Sequence, residues 1–345
     1  MAKVDVVVPC YNYGRFLTDS VHSVLDQSIQ DVRVLVIDDA SSDDTVEVTN
    51  RLAALDRRVE FIAHARNQGH IRTYNEGIEW ADGDYFLLLS ADDLLMPGAL
   101  ERAVSVMDSN PAIGLTYGKS AVWFRDSPPP PSELVSKWGW SDQDLLTDLC
   151  RTASNFVSTP TAIARTCVQK AVGGYRASLP HSGDLEMWLR FAAHAGVARI
   201  DAVQAIYRKH STAMSNSYVA QMLLDYRERK AAFDSFFDSH SCCPQRLLIL
   251  RKQTYQSLAD QAFRTGIKLL RRADFSNGFS LLRWATDLDP HMRYSPPLSE
   301  LLKFPGPEGR EWALSAIRET SRKLVGRIVR SLNIQHQPKS GGGSG

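Results

Sequence analysis

Leu87-Leu88-Leu89-Ser90-Ala91-Asp92-Asp93 closes an apolar run that begins at Tyr85 and ends abruptly in paired carboxylates. Carboxylates at the end of a central strand are costly to leave without partners. In open α/β sheets that strand end faces the crevice where ligands bind. A metal ion coordinated to a phosphate would account for such charge. The pattern occurs twice, because Val32 to Ile37 runs into Asp38-Asp39. Two acidic strand ends in one chain point to one nucleotide–metal site.

Working outward, the β-branched run Val4 to Val8, closed by Pro9, reads as the first strand. Helical spacing follows over Phe16 to Gln27, Thr45 to Leu55, Ile71 to Trp80 and Ala99 to Met107. Between these lie strand-like runs at 32–37, 59–63, 85–89 and 113–117. Asp43 or Asp44 suits the N-cap of the second helix. Strands alternating with helices predict an α/β fold with a mostly parallel sheet flanked by helices. Ser127-Pro-Pro-Pro-Pro131 excludes helix and central strand and reads as an exposed connection. A mixed region then runs to about Tyr218. The chain from Gln221 to Leu332 reads as mostly helical, broken at Pro290 and Pro296-Pro297. Ser340 to Gly345 reads as an appended linker, outside the fold.

Composition narrows the function classes. With 43% apolar and 23% charged residues, the 345-residue chain can bury a sizeable core. A net charge of +1 gives no global case for nucleic acid. The segment from Met1 to Pro9 does not read as a signal peptide, since Asp5 interrupts a short apolar run. No apolar stretch reaches the roughly 18 residues of a membrane span. Five scattered cysteines without a secretion signal fit a reducing, cytoplasmic setting. No CxxC or HExxH pattern suggests zinc. A P-loop would need GxxxxGK[ST], but Gly114-Leu-Thr-Tyr-Gly118-Lys119-Ser120 is one spacer short and starts within an apolar strand. A receiver domain would suit one acidic strand end, yet the chain is far too long and the second cluster stays unexplained.

Four segments in order then carry a resemblance: Val4-Asp-Val-Val-Val-Pro-Cys-Tyr-Asn12, Asp38-Asp39-Ala-Ser-Ser-Asp-Asp-Thr45, Asn67-Gln-Gly69 and Ser90-Ala-Asp92-Asp93. Over about residues 4–215 the chain resembles a family 2 glycosyltransferase of GT-A fold, which is Rossmann-like. The resemblance implies that Pro9, Tyr11 and Asn12 hold the nucleotide, with Tyr11 stacking on the base. It implies that Asp39 accepts a base N–H, and that Asp38 orders the loop or touches ribose. Asn67 and Arg72 fall near the nucleotide, with a solvated arginine as the plainer alternative for Arg72. Gly69 supplies a turn, and Asn75 and Gly77 belong to a supporting helix. Asp93 would chiefly hold Mn2+ or Mg2+, with Asp92 as second ligand or ribose contact. Ser90 stands where many relatives carry a further aspartate.

The acceptor side is implied by His181-Ser-Gly-Asp184-Leu-Glu186-Met-Trp188-Leu-Arg190, which resembles the family's E-D-x-x-x-W-x-R block. Asp184 aligns with the catalytic base that deprotonates an acceptor hydroxyl. Glu186 is the rival, although two residues on in a helix it points away from the face of Asp184. Gly183 replaces the common preceding glutamate. Trp188 suits either a sugar-pocket floor or the core, and Arg190 an internal ion pair. In Tyr207-Arg208-Lys209-His210-Ser211, Arg208 could meet phosphate, and His210 could be a third metal ligand or a diphosphate donor.

The implied protein is an inverting transferase using a nucleoside-diphosphate sugar, most readily UDP-linked. Its acceptor would be a hydroxyl of a glycan, a lipid-linked acceptor or a bacterial cell-surface polysaccharide. Residues 1–220 would form the transferase domain, with 1–120 binding donor and 121–220 facing acceptor. Residues 221–335 would form a helical region, and 336–345 a disordered tail. Glu311 to Leu332 reads as a basic amphipathic helix, suited to an anionic inner membrane face, a second copy of the chain or its own domain. Two rivals stay open. A sugar nucleotidyltransferase would want a Gly-rich, Arg-containing loop after strand one, which Cys10-Tyr-Asn-Tyr-Gly14 matches poorly. A catalytically silent sugar-nucleotide-binding protein is compatible with Ser90 and Gly183.

Overall fold

The structure is a computed structural model that describes residues 3–124, 137–210, 222–240 and 244–293. The expectations for 127–131, 311–332 and the tail lie outside the described residues.

The chain opens with β1 (Val4–Cys10), α1 (Gly14–Leu25), β2 (Val32–Asp38), α2 (Thr45–Leu55), β3 (Val59–Ala63), α3 (His70–Trp80) and β4 (Tyr85–Leu88). Parallel ladders join β1 to β2, β1 to β4 and β2 to β3, as the alternation of strand and helix requires. Val4, Val6 and Val8 of β1 pack with Leu17, Val21 and Val24 of α1. Each such side chain contributes about 1.5–3 kcal/mol on burial. On the other face Gly77 lets α3 approach β1, because a Cβ there would collide with the Val7 side chain.

The second half departs from a mostly parallel sheet. It contains β5 (Leu94–Leu95), α4 (Ala99–Ser109), β6 (Ile113–Phe124), β7 (Trp140–Gln143) and α5 (Leu145–Thr152). Next come β8 (Ile163–Arg165), α6 (Thr166–Val172), α7 (Gly183–His194) and β9 (Gly196–Lys209). The strand order is β3-β2-β1-β4-β8-β6-β9-β5, with β7 also on β9. β8 lies antiparallel to both β4 and β6, β5 and β7 lie antiparallel to β9, and only β6–β9 is parallel. The sheet is therefore mixed. A three-residue strand such as Ile163-Ala-Arg165 carries no mark of strand direction, so periodicity could not reveal this.

Among the described residues, three α-helices follow: α8 (Met222–Ser239), α9 (Pro244–Arg271) and α10 (Phe275–Leu288). The described residues up to Arg251 form one compact unit and those from Lys252 a second, so α8 belongs to the first. In the second, Gly278 of α10 meets the Leu270 side chain and the Gly266 carbonyl of α9. No helix among the described residues is long and apolar enough to cross a membrane.

Candidate active site

The carboxyl ends of β1, β2 and β4 open onto a cavity of about 500 Å3. Of the residues singled out from sequence, Pro9, Tyr11, Asp39, Asn67, Asp92, Asp93 and Asp184 line it. After β4 a turn closed by Asp93 N–H donating to the Ser90 carbonyl (3.0 Å) brings both aspartates to the wall. Asp93 Oδ1 accepts the Arg208 backbone N–H at 3.0 Å. Burial, then the charge of Asp92, pushes the Asp93 carboxyl well above its ordinary pKa. Asp92 Oδ2 meets His210 Nε2 at 3.0 Å, so the buried His210 touches the wall from behind. Among the described residues no cluster of three or more His, Cys, Asp or Glu side chains is arranged to hold a metal. A cation here would need ligands from its substrate as well as the two carboxylates. Their adjoining, under-compensated charges fit that demand.

Asp184, in the first turn of α7, also lines the cavity. Its Oδ2 accepts the Thr159 hydroxyl at 2.7 Å, and Tyr175 donates a second hydrogen bond. Burial raises the Asp184 pKa, while Thr159, Tyr175 and the charge of His70 oppose the rise. Tyr175 is fixed in turn by Asn75, whose Nδ2 donates to the Tyr175 carbonyl (2.9 Å) and whose Oδ1 accepts its N–H (2.6 Å). Glu186 does not reach the cavity. It is fully buried against Arg176 (2.6 Å) and Arg190 (2.8 Å), which gives Arg190 the ion pair its sequence position suggested. Trp188 packs in the core against Phe191. Cys10 lines the cavity, but burial pushes its thiol up to about 12, so it offers no thiolate nucleophile at neutral pH.

Other singled-out residues stand off the wall. Asn12, at a positive φ of 59°, receives the Ser42 N–H on Oδ1 (2.8 Å) and ties the β1 loop to the β2 loop. Asp38 accepts the Ser41 N–H (3.1 Å) and orders the same loop. Arg72 is exposed along a second cavity beside α3. The Arg208 guanidinium lies over Phe16 (4.8 Å) and Trp123 (4.7 Å), away from the cavity. Alternation along β9 explains this: Tyr207 faces the cavity, so its neighbour faces α1. Sequence reasoning missed Thr159, Tyr175, His64 and Tyr207. Only Tyr207 carried a signal, in that parity.

Residues 5–165 match the sequence profile described as glycosyl transferase family 2. Over those residues, somewhat under half of its length, the chain is similar to that family. It is 33% identical over 121 residues to an uncharacterized glycosyltransferase of Haemophilus influenzae, covering 35% of the chain and 48% of that relative. The matched part thus spans about half the relative's length. Staphylococcus aureus TarS (residues 1–349, with UDP-GlcNAc) superposes with a TM-score of 0.62 at 17% identity, covering 93% of this chain and 91% of that one. The mannosyltransferase PcManGT of Pyrobaculum calidifontis, with GDP-Man and Mn2+, gives 0.57 at 15% identity, covering 93% and 86%. At these identities the likeness is one of fold, and the fold is GT-A with a helical C-terminal region.

Proposed function

We propose that this chain is a family 2 glycosyltransferase, an inverting enzyme that moves a sugar from a UDP-linked donor to an acceptor hydroxyl. The observation that carries the reading is that Asp92, Asp93 and Asp184, from distant parts of the chain, line one cavity. Pro9, Tyr11, Asn67 and Asp39 would hold the nucleotide. Asn12 and Asp38 shape the loops that carry them, and His210 and Arg208 support the acidic wall from behind. Asp93 and Asp92 would hold Mn2+ or Mg2+, which supplies positive charge to a departing diphosphate. Asp184 takes the acceptor's proton as the hydroxyl oxygen bonds to the anomeric carbon. The bond from that carbon to the diphosphate breaks in the same displacement, which inverts the centre. A raised carboxyl pKa suits a general base. The acceptor class is a glycan, a lipid-linked sugar or a cell-surface polysaccharide, reached from the cytoplasmic side. Residues 1–220 would carry the transfer.

Asp184→Asn tests the reading. UDP binding by calorimetry should stay within about twofold, and transfer should fall by about 10³-fold or more. Substantial transfer by the variant would refute the base.

A further inference from the structure

Behind the cavity, His64 sits between two carboxylates. Its Nδ1 lies 2.8 Å from Asp39 Oδ1 and its Nε2 lies 2.8 Å from Glu76 Oε2. A carboxylate oxygen only accepts, so both contacts are hydrogen bonds only when each ring nitrogen carries a proton. The geometry is that of an imidazolium. The His64 side chain is 5% exposed and that of Glu76 35%, so Asp39 is the partner sealed in with it. Asp39 also accepts the Gln68 N–H (2.7 Å, on Oδ1) and the Gly69 N–H (2.9 Å, on Oδ2). Every neighbour of Asp39 is therefore a donor, and Oδ2 keeps acceptor capacity at the cavity wall.

We propose that His64 is the positioning residue of the nucleobase subsite. As an imidazolium it locks Asp39 as a charged, acceptor-only group that selects a base presenting a ring N–H, such as uracil. The inference rests on the donor-site reading above. The titratable groups facing the ring are Asp39 at the end of β2 and Glu76 on α3. Burial lowers the pKa of His64, but the hydrogen bonds and charges of Asp39 and Glu76 outweigh it and hold the pKa above its ordinary value. The sign follows. A raised histidine pKa means the charged clamp is complete at low pH and is lost as pH rises through that value. On loss of the proton the exposed Glu76 can turn to water, while a neutral Nδ1–H keeps Asp39 with a weaker, uncharged bond. A charge-assisted bond is about twice as strong as a neutral one, which sets the loss of base affinity at about fivefold.

The test combines ¹⁵N NMR of the imidazole with calorimetric UDP titrations in Mn2+ from pH 6 to 9, on wild type, His64→Gln and Glu76→Gln. The ring should hold two protons at neutral pH and titrate above its ordinary value. Wild-type UDP affinity should fall about fivefold across that midpoint. His64→Gln should bind more weakly with no such step. Glu76→Gln leaves the Asp39 contact intact, and should move both the ring midpoint and the binding step to lower pH. A neutral ring at pH 6.5, or a His64→Gln profile that follows wild type, overturns the role of His64 while the donor site stands. A wild type that binds neither UDP, GDP nor dTDP at any pH overturns the donor site and the His64 role together.

Discussion

Asp5 and Asp93 lie at opposite ends of one sheet, 0% and 2% exposed, and could hardly be treated more differently. Asp5, at the start of β1, accepts Arg33 through two nitrogens (2.9 and 2.7 Å) and the backbone N–H groups of Asp82 and Gly83 (2.8 and 2.7 Å). Asp93, just past β4, accepts one backbone N–H and has the carboxylate of Asp92 beside it. The first is a rivet whose charge is answered by its own fold. The second is answered only in part, by the N–H and the charge of Arg208. Burial alone does not mark a functional acid; the lack of compensation does. Asp184 is a third case, held by the neutral hydroxyls of Thr159 and Tyr175. Neutral donors orient a base without cancelling its affinity for a proton.

Substitutions sharpen that contrast. The largest effect should come from Asp93→Asn. Losing several kcal/mol of charge stabilisation should reduce transfer by about 10³-fold. The same change should stabilise the metal-free protein. A folded-state carboxyl pKa above the unfolded value costs stability once pH exceeds the unfolded value, and a neutral amide removes that cost. Thermal melts at pH 7 in chelator should show Tm rising by about 2–4 °C per kcal/mol relieved. A lower Tm would place Asp93 with Asp5 as a structural acid.

Asp5→Asn should do the reverse. Stability should fall by about 2–3 kcal/mol in urea unfolding, a value discounted because Arg33 also reaches Asp82 and is 27% exposed. Transfer by the folded fraction should hold within about twofold, since Asp5 is at the far end of the sheet. Tyr175→Phe should lower kcat by about tenfold. Because the Tyr175 bond lowers the Asp184 pKa, its loss should also move the acid limb of the kcat–pH profile upward. An unmoved limb would mean that Tyr175 only packs. Ser90→Ala should be the smallest change, within about twofold in transfer. The contacts of Ser90 to Ser20 and Asp93 use its backbone carbonyl, which alanine keeps.

Much of the first half of the sheet was legible in the sequence. Val4–Cys10, Val32–Asp38 and Tyr85–Leu88 are central strands, and their apolar runs declare burial on both faces. The acidic residues that end two of them were readable because charge after such a run demands a reason. The second half was opaque. β9 runs from Gly196 to Lys209 with exposed residues alternating among buried ones, and nothing in that pattern says it pairs parallel to β6 and antiparallel to β5 and β7. Arg208 and His210 were placed by motif alone, and only strand parity and packing show which way each points.

The sequence by itself determined the α/β class and the two acidic strand ends, because periodicity and charge placement are local properties of a chain, whereas Asp184 was singled out only by the resemblance of its segment to a family block. Only the tertiary structure decided which carboxylates meet arginine or histidine away from the cavity wall and which line it. It set Asp5 against Arg33, Glu186 against Arg190 and Asp39 against His64, and it left Asp92, Asp93 and Asp184 facing one cavity. Compensation depends on groups brought within about 3 Å from distant parts of the chain, and their spacing along the sequence carries no record of that distance.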